Sequence, residues 1–483
     1  MSDLEDIVGG AGTRAATGAV VPVPGGVAPT VVDDPDAGRR ERNRKVTFAI
    51  VASLLTKPIG LLTPLVLVPL YLAYLGVERY GLFQAVAALT ALLTLTNVGL
   101  NQGLINRLME ARAAGDAPRA RQFVSSLLIV LAAWTAIALV VWTGIVLAVD
   151  WVAAFRVDEP RAVFEAPWVV WLTGALTLLG LLVAAPQAVM VAHQQVGWLA
   201  VWDAVTKVVV LAACVAVVFT PMGLIGVTAA SAGLPVVLGI GVAVLIFRRW
   251  PDLRPSRRSF DWGAVRQTVG DGIYLFLIQA SVIALFQFDK VLIGSLMGAE
   301  HVTPFALVGQ VLVTCYAVFV HVLSPMWPAY GDAIRRGDWA WVRRTMRVSL
   351  VFGCGLVAAV GLAFVFTADV VLAKWSRGQV THVSASLVLA VTATFLLRAW
   401  IDCRSVALNA AGVLAPQVIL IVSHAVLNVV VAIVLGRRYG VEGVAWATPL
   451  TALVTTAWGY PWLVRKYLWR RAAVAVAAPP GGS

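Results

Sequence analysis

Charge, cysteine and histidine are all scarce in this 483-residue sequence, and each shortage removes a class of protein. Only 13% of residues are charged against 60% hydrophobic, with a mean hydropathy of +0.86. A chain so poor in charge cannot cover a soluble surface of this size, so it reads as a polytopic membrane protein. The four cysteines, Cys214, Cys315, Cys354 and Cys403, lie inside or at the ends of apolar runs, with no CxxC spacing and no histidine set beside them. That excludes a disulfide framework and a zinc site, and the sequence calls for no metal and no cofactor. Residues 1–45 lack the apolar core of a signal peptide and mix Gly, Pro, Ala and Val with acids, which reads as a disordered tail.

What the sequence has in abundance is long apolar runs. A helical span needs about 20 such residues to cross about 30 Å of hydrocarbon, and uninterrupted runs favour helices over alternating barrel strands. Twelve spans are expected near 46–72, 81–106, 123–149, 167–192, 199–219, 222–247, 267–297, 302–328, 346–368, 383–409, 413–435 and 439–465. Arginines crowd the loops 107–122, 248–266 and 329–345 and the tail after Arg465, whereas 150–166 carries Asp150, Asp158, Glu159 and Glu165 against Arg156 and Arg161. The positive-inside rule then places both termini in the cytoplasm, with Arg437-Arg438 the one discordant pair. Topology accounts for most of the net charge of +12, so no nucleic-acid partner follows from it.

The chain also repeats itself. Shifted by 222 residues, Gly76, Glu78, Phe83, Glu110, Gly115-Asp116 and Arg121 fall on Gly298, Glu300, Phe305, Asp332, Gly337-Asp338 and Arg343. A shift of 217 brings Gly223 and Gly226 onto Gly440 and Gly443. Six spans separate the copies, so the halves face the same way, as parallel repeats that rock about a central site would. The expected fold is therefore an all-α membrane protein with twelve transmembrane helices in two six-helix bundles, 46–247 and 267–465. A cytoplasmic linker at 248–266 belongs to neither core, and cytoplasmic tails occupy 1–45 and 466–483.

Charges within spans are costly and need a partner or a watery cavity. Lys57 lies midway along the first span beside Pro58, in a helix also broken by Pro64, and is a candidate anion site. Asp203 with Lys207, and Arg398 with Asp402, are four residues apart and share a helix face, which allows intrahelical neutralisation or a cavity-lining role. Asp289 and Lys290 are adjacent, about 100° apart around a helix, so at least one faces another helix or the cavity. His424 falls on Lys207 at the 217-residue shift, which places two titratable nitrogens at equivalent depths. Asn97 and Asn101 share a face with Gly99 and Gly103 and suit close helix packing as well as sugar binding.

Asp289-Lys-Val-Leu-Ile-Gly294 resembles the seventh-helix signature of the oligosaccharide flippases in the multidrug/oligosaccharidyl-lipid/polysaccharide exporter superfamily. Pro325-Met-Trp-Pro-Ala-Tyr330 with Asp332-Ala333 and Arg336-Gly-Asp338 resembles their eighth-helix exit, and Tyr74-Leu75-Gly76, Glu78, Tyr80-Gly81-Leu82, Gly99-Leu100 and Ala114-Gly115-Asp116 fit the first-half pattern. Thr303-Pro304 departs from it where a Gly-Tyr pair is commoner. The likeness covers roughly residues 46–465. It implies a carrier, not an enzyme, that moves an isoprenoid-diphosphate-linked oligosaccharide across the cytoplasmic membrane of a bacterium for cell-surface polysaccharide assembly. Lys57, Lys207, Lys290 and Arg398 would then line the translocation path, with Asp203, Asp289, Asp402 and His424 as charge partners or ion-coupling groups. The implied partners are the lipid-linked oligosaccharide and membrane lipids, with H+ or Na+ as candidate coupling ion and polysaccharide assembly proteins as candidate associates. A drug/cation antiporter of the same superfamily, and a membrane polysaccharide polymerase or transferase, are the alternatives.

Overall fold

The apolar runs become helices because a backbone surrounded by hydrocarbon has only its own carbonyls to bond to. The computed structural model describes residues 35–96, 98–270 and 273–470. In chain order its helices are α1 (Pro35–Ala91), α2 (Val98–Ala113), α3 (Ala117–Ala148), α4 (Trp151–Phe155), α5 (Pro160–Ala192), α6 (Val196–Val218), α7 (Gly223–Thr228) and α8 (Leu234–Arg249). A short α9 (Trp262–Gly270) leads into α10 (Ile273–Met297), α11 (Val302–Leu323), α12 (Met326–Arg336), α13 (Trp339–Trp375), α14 (Ala385–Ala410), α15 (Ala415–Val454) and α16 (Thr456–Leu463). No strand occurs among the described residues. Most of the tail expected at 1–45, and residues 471–483 of the other tail, lie outside them. Residues 35–45 are helical rather than irregular, and Ala37 and the run of arginines are good helix formers.

Ten helical stretches among the described residues are long and apolar enough to cross a membrane, and the chain is a multi-pass membrane protein. Two of them are too long for one crossing. Leu55–Thr94 has 40 residues and Ala415–Trp469 has 55, where about 20 suffice. Each is divided by a glycine with positive φ, Gly76 at 80° and Gly440 at 64°. Counting each as two spans is consistent with twelve.

The backbone repeats where the sequence does. Gly76 and Gly298 have φ of 80° and 113°, Gly115 and Gly337 have 68° and 74°, and Gly223 and Gly440 have 61° and 64°. These left-handed turns are strained for any side chain with a Cβ, which is why the glycines survive as the visible mark of the repeat. Asp116 and Asp338 also match, each accepting a hydrogen bond from the amide three residues on and capping α3 and α13.

The two halves meet closely at the end opposite the basic loops. A methyl group built on Gly81 would stand 1.8 Å from the Ala299 carbonyl oxygen, and one on Gly294 would stand 3.0 Å from Phe155. Thr303 Oγ1 donates to the Val77 carbonyl at 2.6 Å, and the Trp375 indole donates to the Leu65 carbonyl at 3.0 Å. Leu65 is free to accept because the residue four further on is Pro69, which has no amide hydrogen.

The linker differs from the expectation that it belongs to neither core. Leu253 and Ala264 are buried in one apolar cluster with Phe123, Val124 and Leu127. The Ser256 amide donates to Ser125 Oγ at 3.0 Å, the Asp261 amide to Ser126 Oγ at 2.9 Å, and Arg121 Nε to the Arg254 carbonyl at 2.9 Å. A loop pressed onto a helix must find partners for its amides there, and the two fully buried serines supply them. Replacing both, Ser125→Ala with Ser126→Ala, should cost about 1 kcal/mol per lost bond and lower the thermal midpoint of the purified protein. A flexible insertion at Pro255 should lower it too, and an unchanged midpoint in both variants would mean the linker is a detached spacer.

Candidate functional site

Three nitrogen-bearing side chains from three helices converge between the halves. Lys57 is half-buried on α1 and, among the described residues, makes no hydrogen bond or ion pair. Lys207 reaches from α6 to the same stretch of α1, where a methyl group on Gly60 would lie 3.0 Å from its Nζ. His321 on α11 lies within electrostatic reach of both lysines. The sequence reading named the two lysines and passed over His321. Its signal was there, a lone titratable ring inside an apolar span, but nothing local said which helix it would face.

The paired charges follow their spacing. Lys207 Nζ lies 2.6 Å from Asp203 Oδ2, with side chains 40% and 61% exposed, so this pair is open rather than locked in the core. Arg398 Nε donates to Asp402 Oδ2 at 2.9 Å in a largely buried setting, and Tyr316 on α11 donates its hydroxyl to the same oxygen. The Arg398 guanidinium also lies 5.6 Å over the Phe286 ring. Arg398 is thus paired with a carboxylate in this conformation, unlike Lys57.

Asp289 and Lys290 go separate ways, as adjacent helical positions must. Lys290 Nζ reaches Gln84 Oε1 on α1 at 3.5 Å, and Gln84 Nε2 donates to the Tyr80 hydroxyl at 2.6 Å. Asp289 turns into the second half, where Thr448 Oγ1 on α15 donates to it at 3.2 Å and Asn428 faces it. Its other carboxylate oxygen is buried without a hydrogen bond. Both residues line a cavity of 180 Å³ walled by Phe286, Phe305 and Phe395, with Gln287 and Gln310 as further polar groups. His424 is buried nearby on α15, its Nε2 3.3 Å from the carbonyl oxygen of Thr448, whose hydroxyl serves Asp289. It therefore does not share the half-exposed surroundings of Lys207, and the structure does not bring the two together. Asn97 lies outside the described residues, and Asn101 Oδ1 is buried without a partner among them. No cluster of metal-ligating side chains occurs among the described residues.

One buried ion pair escaped the sequence reading. Arg79 grips Glu165 through two hydrogen bonds of 2.8 and 2.7 Å, and Glu165 also accepts the Leu224 amide at 2.9 Å. Glu165 is thus not a loop charge, because α5 already begins at Pro160. Gly223 makes room, since a methyl group there would stand 2.1 Å from the carboxylate. Nearby Glu78 accepts the amides of Asp158 and Glu159 at 2.6 and 3.0 Å and holds the start of α5. Burial raises the Glu159 carboxyl above its ordinary range, against the pull of Arg79.

The family model for the polysaccharide biosynthesis proteins matches residues 43–329, more than half of the chain. The chain belongs to that family. Over 188 residues it is 19% identical to a Salmonella typhi protein designated an O-antigen transporter, covering 38% of this chain and 43% of that one, so the match spans less than half of the relative's length. The fold is shared with a multidrug resistance MATE family transporter of the MOP superfamily in an inward-facing conformation. The TM-score is 0.65 at 14% identity, over 90% of this chain and 99% of the other. The lipid II flippase MurJ, in an inward closed conformation, gives a TM-score of 0.60 at 12% identity over 87% of each chain. The expected all-α membrane fold thus stands.

The Arg79–Glu165 pair yields a direct test. Glu165→Gln should strand a buried guanidinium at a cost of about 3–5 kcal/mol and deplete the folded protein from membranes. Arg79→Leu with Glu165→Leu removes both charges and should restore abundance toward the parent, measured by fluorescence-detected size exclusion. Equal loss in the single and double variants would mean that packing, not charge, fixes this site.

Proposed function

We propose that this protein is a flippase that carries an isoprenoid-diphosphate-linked oligosaccharide across the cytoplasmic membrane of a bacterium by alternating access, for cell-surface polysaccharide assembly. The observation that carries the reading is the meeting of Lys57, Lys207 and His321 between the two halves, with Lys57 free of any protein partner among the described residues. Unpaired cations inside a membrane protein need a watery cavity or an anion. A diphosphate supplies that anion while its lipid tail stays in the bilayer. The halves 46–247 and 267–465 are the rocking units, both termini are cytoplasmic, and the contacts at Gly81, Thr303 and Trp375 close the outer end. Lys290 is held to Gln84 and Arg398 to Asp402 in this state, so they meet the substrate only after those partners change. Asp289, with Thr448 and Asn428 around it and His424 on the far side of Thr448, is the ion-coupling carboxylate, for H+ or Na+. The chemistry is transport, with no bond of the substrate broken.

A drug/cation antiporter has one observation in its favour, the Asp289 carboxylate in a cavity with three phenylalanines. Lys290 on the same wall opposes it. Saturable binding of a cationic dye, lost in Asp289→Asn, would favour that rival. Accumulation of one lipid-linked oligosaccharide on the cytoplasmic leaflet after gene deletion would favour the flippase.

Lys57 decides the residue-level claim. Lys57→Gln should nearly abolish export at normal membrane abundance, since no partner is left stranded, and Lys57→Arg should retain part of it. Surface polysaccharide and protein level are measured in the same cells, and normal export by Lys57→Gln at normal abundance would take Lys57 out of the path. For the topology, cysteines placed at Ala114 and Ala340 should both resist an impermeant thiol reagent in intact cells and react in inside-out vesicles. Labelling from opposite sides would overturn the parallel arrangement of the halves.

A further inference from the structure

The first half carries a second, differently built surface, lined by none of the cluster's residues. A groove of 450 Å³ runs between α3, α5 and α8, walled by Leu128, Leu182, Val183, Pro186, Ile240 and Val244. Its floor is tight, since a methyl group on Gly239 of α8 would stand 2.0 Å from Val183 Cγ1. The groove is apolar along its length and ends at two exposed arginines, Arg248 and Arg254, where α8 reaches the basic loops.

The arginines are positioned rather than merely present. Arg254 Nε donates to the Phe247 carbonyl at 2.9 Å, one of the open carbonyls at the end of α8, which folds the side chain back over the groove and leaves both terminal nitrogens to bind elsewhere. The Arg254 carbonyl is held in turn by Arg121 at 2.9 Å, and the segment is pinned by the buried Ser125 and Ser126 hydroxyls. Neither Arg248 nor Arg254 has a carboxylate within ion-pair distance among the described residues. Apolar walls facing hydrocarbon, with unpaired guanidinium groups at headgroup level, complement a lipid with an anionic phosphate.

We infer that this groove is a binding site for an anionic glycerophospholipid, its acyl chains between α3, α5 and α8 and its phosphate on Arg248 and Arg254. The site is separate from the transport path. None of the candidate transport residues lies on α3, α5 or α8, so the occupant is a bilayer lipid and not the carried substrate. Its binding ties the linker to α8 and makes the stability of the first half depend on the composition of the adjoining leaflet.

The test is thermal unfolding of the full chain in detergent, titrated with dioleoyl phosphatidylglycerol or dioleoyl phosphatidylcholine. Phosphatidylglycerol should raise the midpoint saturably and phosphatidylcholine should not. Arg248→Gln with Arg254→Gln should shift half-saturation by about tenfold or more. Ala243→Trp, which fills the groove and keeps both charges, should do the same. Arg465→Gln with Lys466→Gln, an equally large loss of charge in the turns that follow α16, should titrate like the parent. An equal response to phosphatidylcholine would overturn the inference. So would an equal shift in the Arg465/Lys466 variant, which would show diffuse surface charge, or parent-like titration of both groove variants. Displacement of phosphatidylglycerol by a lower concentration of polyprenyl phosphate would also overturn it, by assigning the groove to the carried lipid.

Discussion

In hydrocarbon there is no water to complete a broken hydrogen-bond ladder, and this constraint shapes every irregular feature of the protein. Prolines in α1 and α16 remove amide donors, and in two cases an indole from a distant helix takes the freed carbonyl: Trp375 for Leu65 above Pro69, and Trp400 for Ala457 above Pro461, each at 3.0 Å. The linker obeys the same rule at the membrane edge, where two buried serines accept its amides. Kinks that carriers need are thus bought with side chains placed far away in sequence.

The same accounting separates what is rigid from what can open. Within the first half, Arg79 and Glu165 lock α1, α5 and the start of α7 through charged, bidentate bonds that are costly to break. Between the halves the polar links are single and neutral or long: Thr303 to Val77, Trp375 to Leu65, and Lys290 to Gln84 at 3.5 Å. Such bonds are worth about 1 kcal/mol each, so their exchange for water costs little when the halves part. Close approach at Gly81 sets the fit of this seam, because any side chain there would meet the Ala299 backbone.

The electrostatic pattern matches that mechanical one. Charges inside the second half are met by partners, Arg398 by Asp402 and Tyr316, and Asp289 by Thr448. Two of those between the halves are left open, Lys57 without a partner among the described residues and Lys207 sharing an exposed one. Neutralisation inside each half keeps insertion tolerable, while the open cations lie where the halves separate and water can enter.

Much of this was written in local sequence. Hydropathy determined the helical class, arginine bias gave the expected orientation, and the glycines at 76, 115, 223, 298, 337 and 440 marked a repeat whose backbone angles recur in pairs. The pairings of Asp203 with Lys207 and of Arg398 with Asp402 were legible because four residues make one helical turn. Tertiary structure alone decided that His321 joins the two lysines, that Arg79 finds Glu165, that Asp289 meets Thr448 and that the linker lies down on α3. Each of these joins residues more than eighty positions apart, and which faces of two helices meet depends on the packing of all the others.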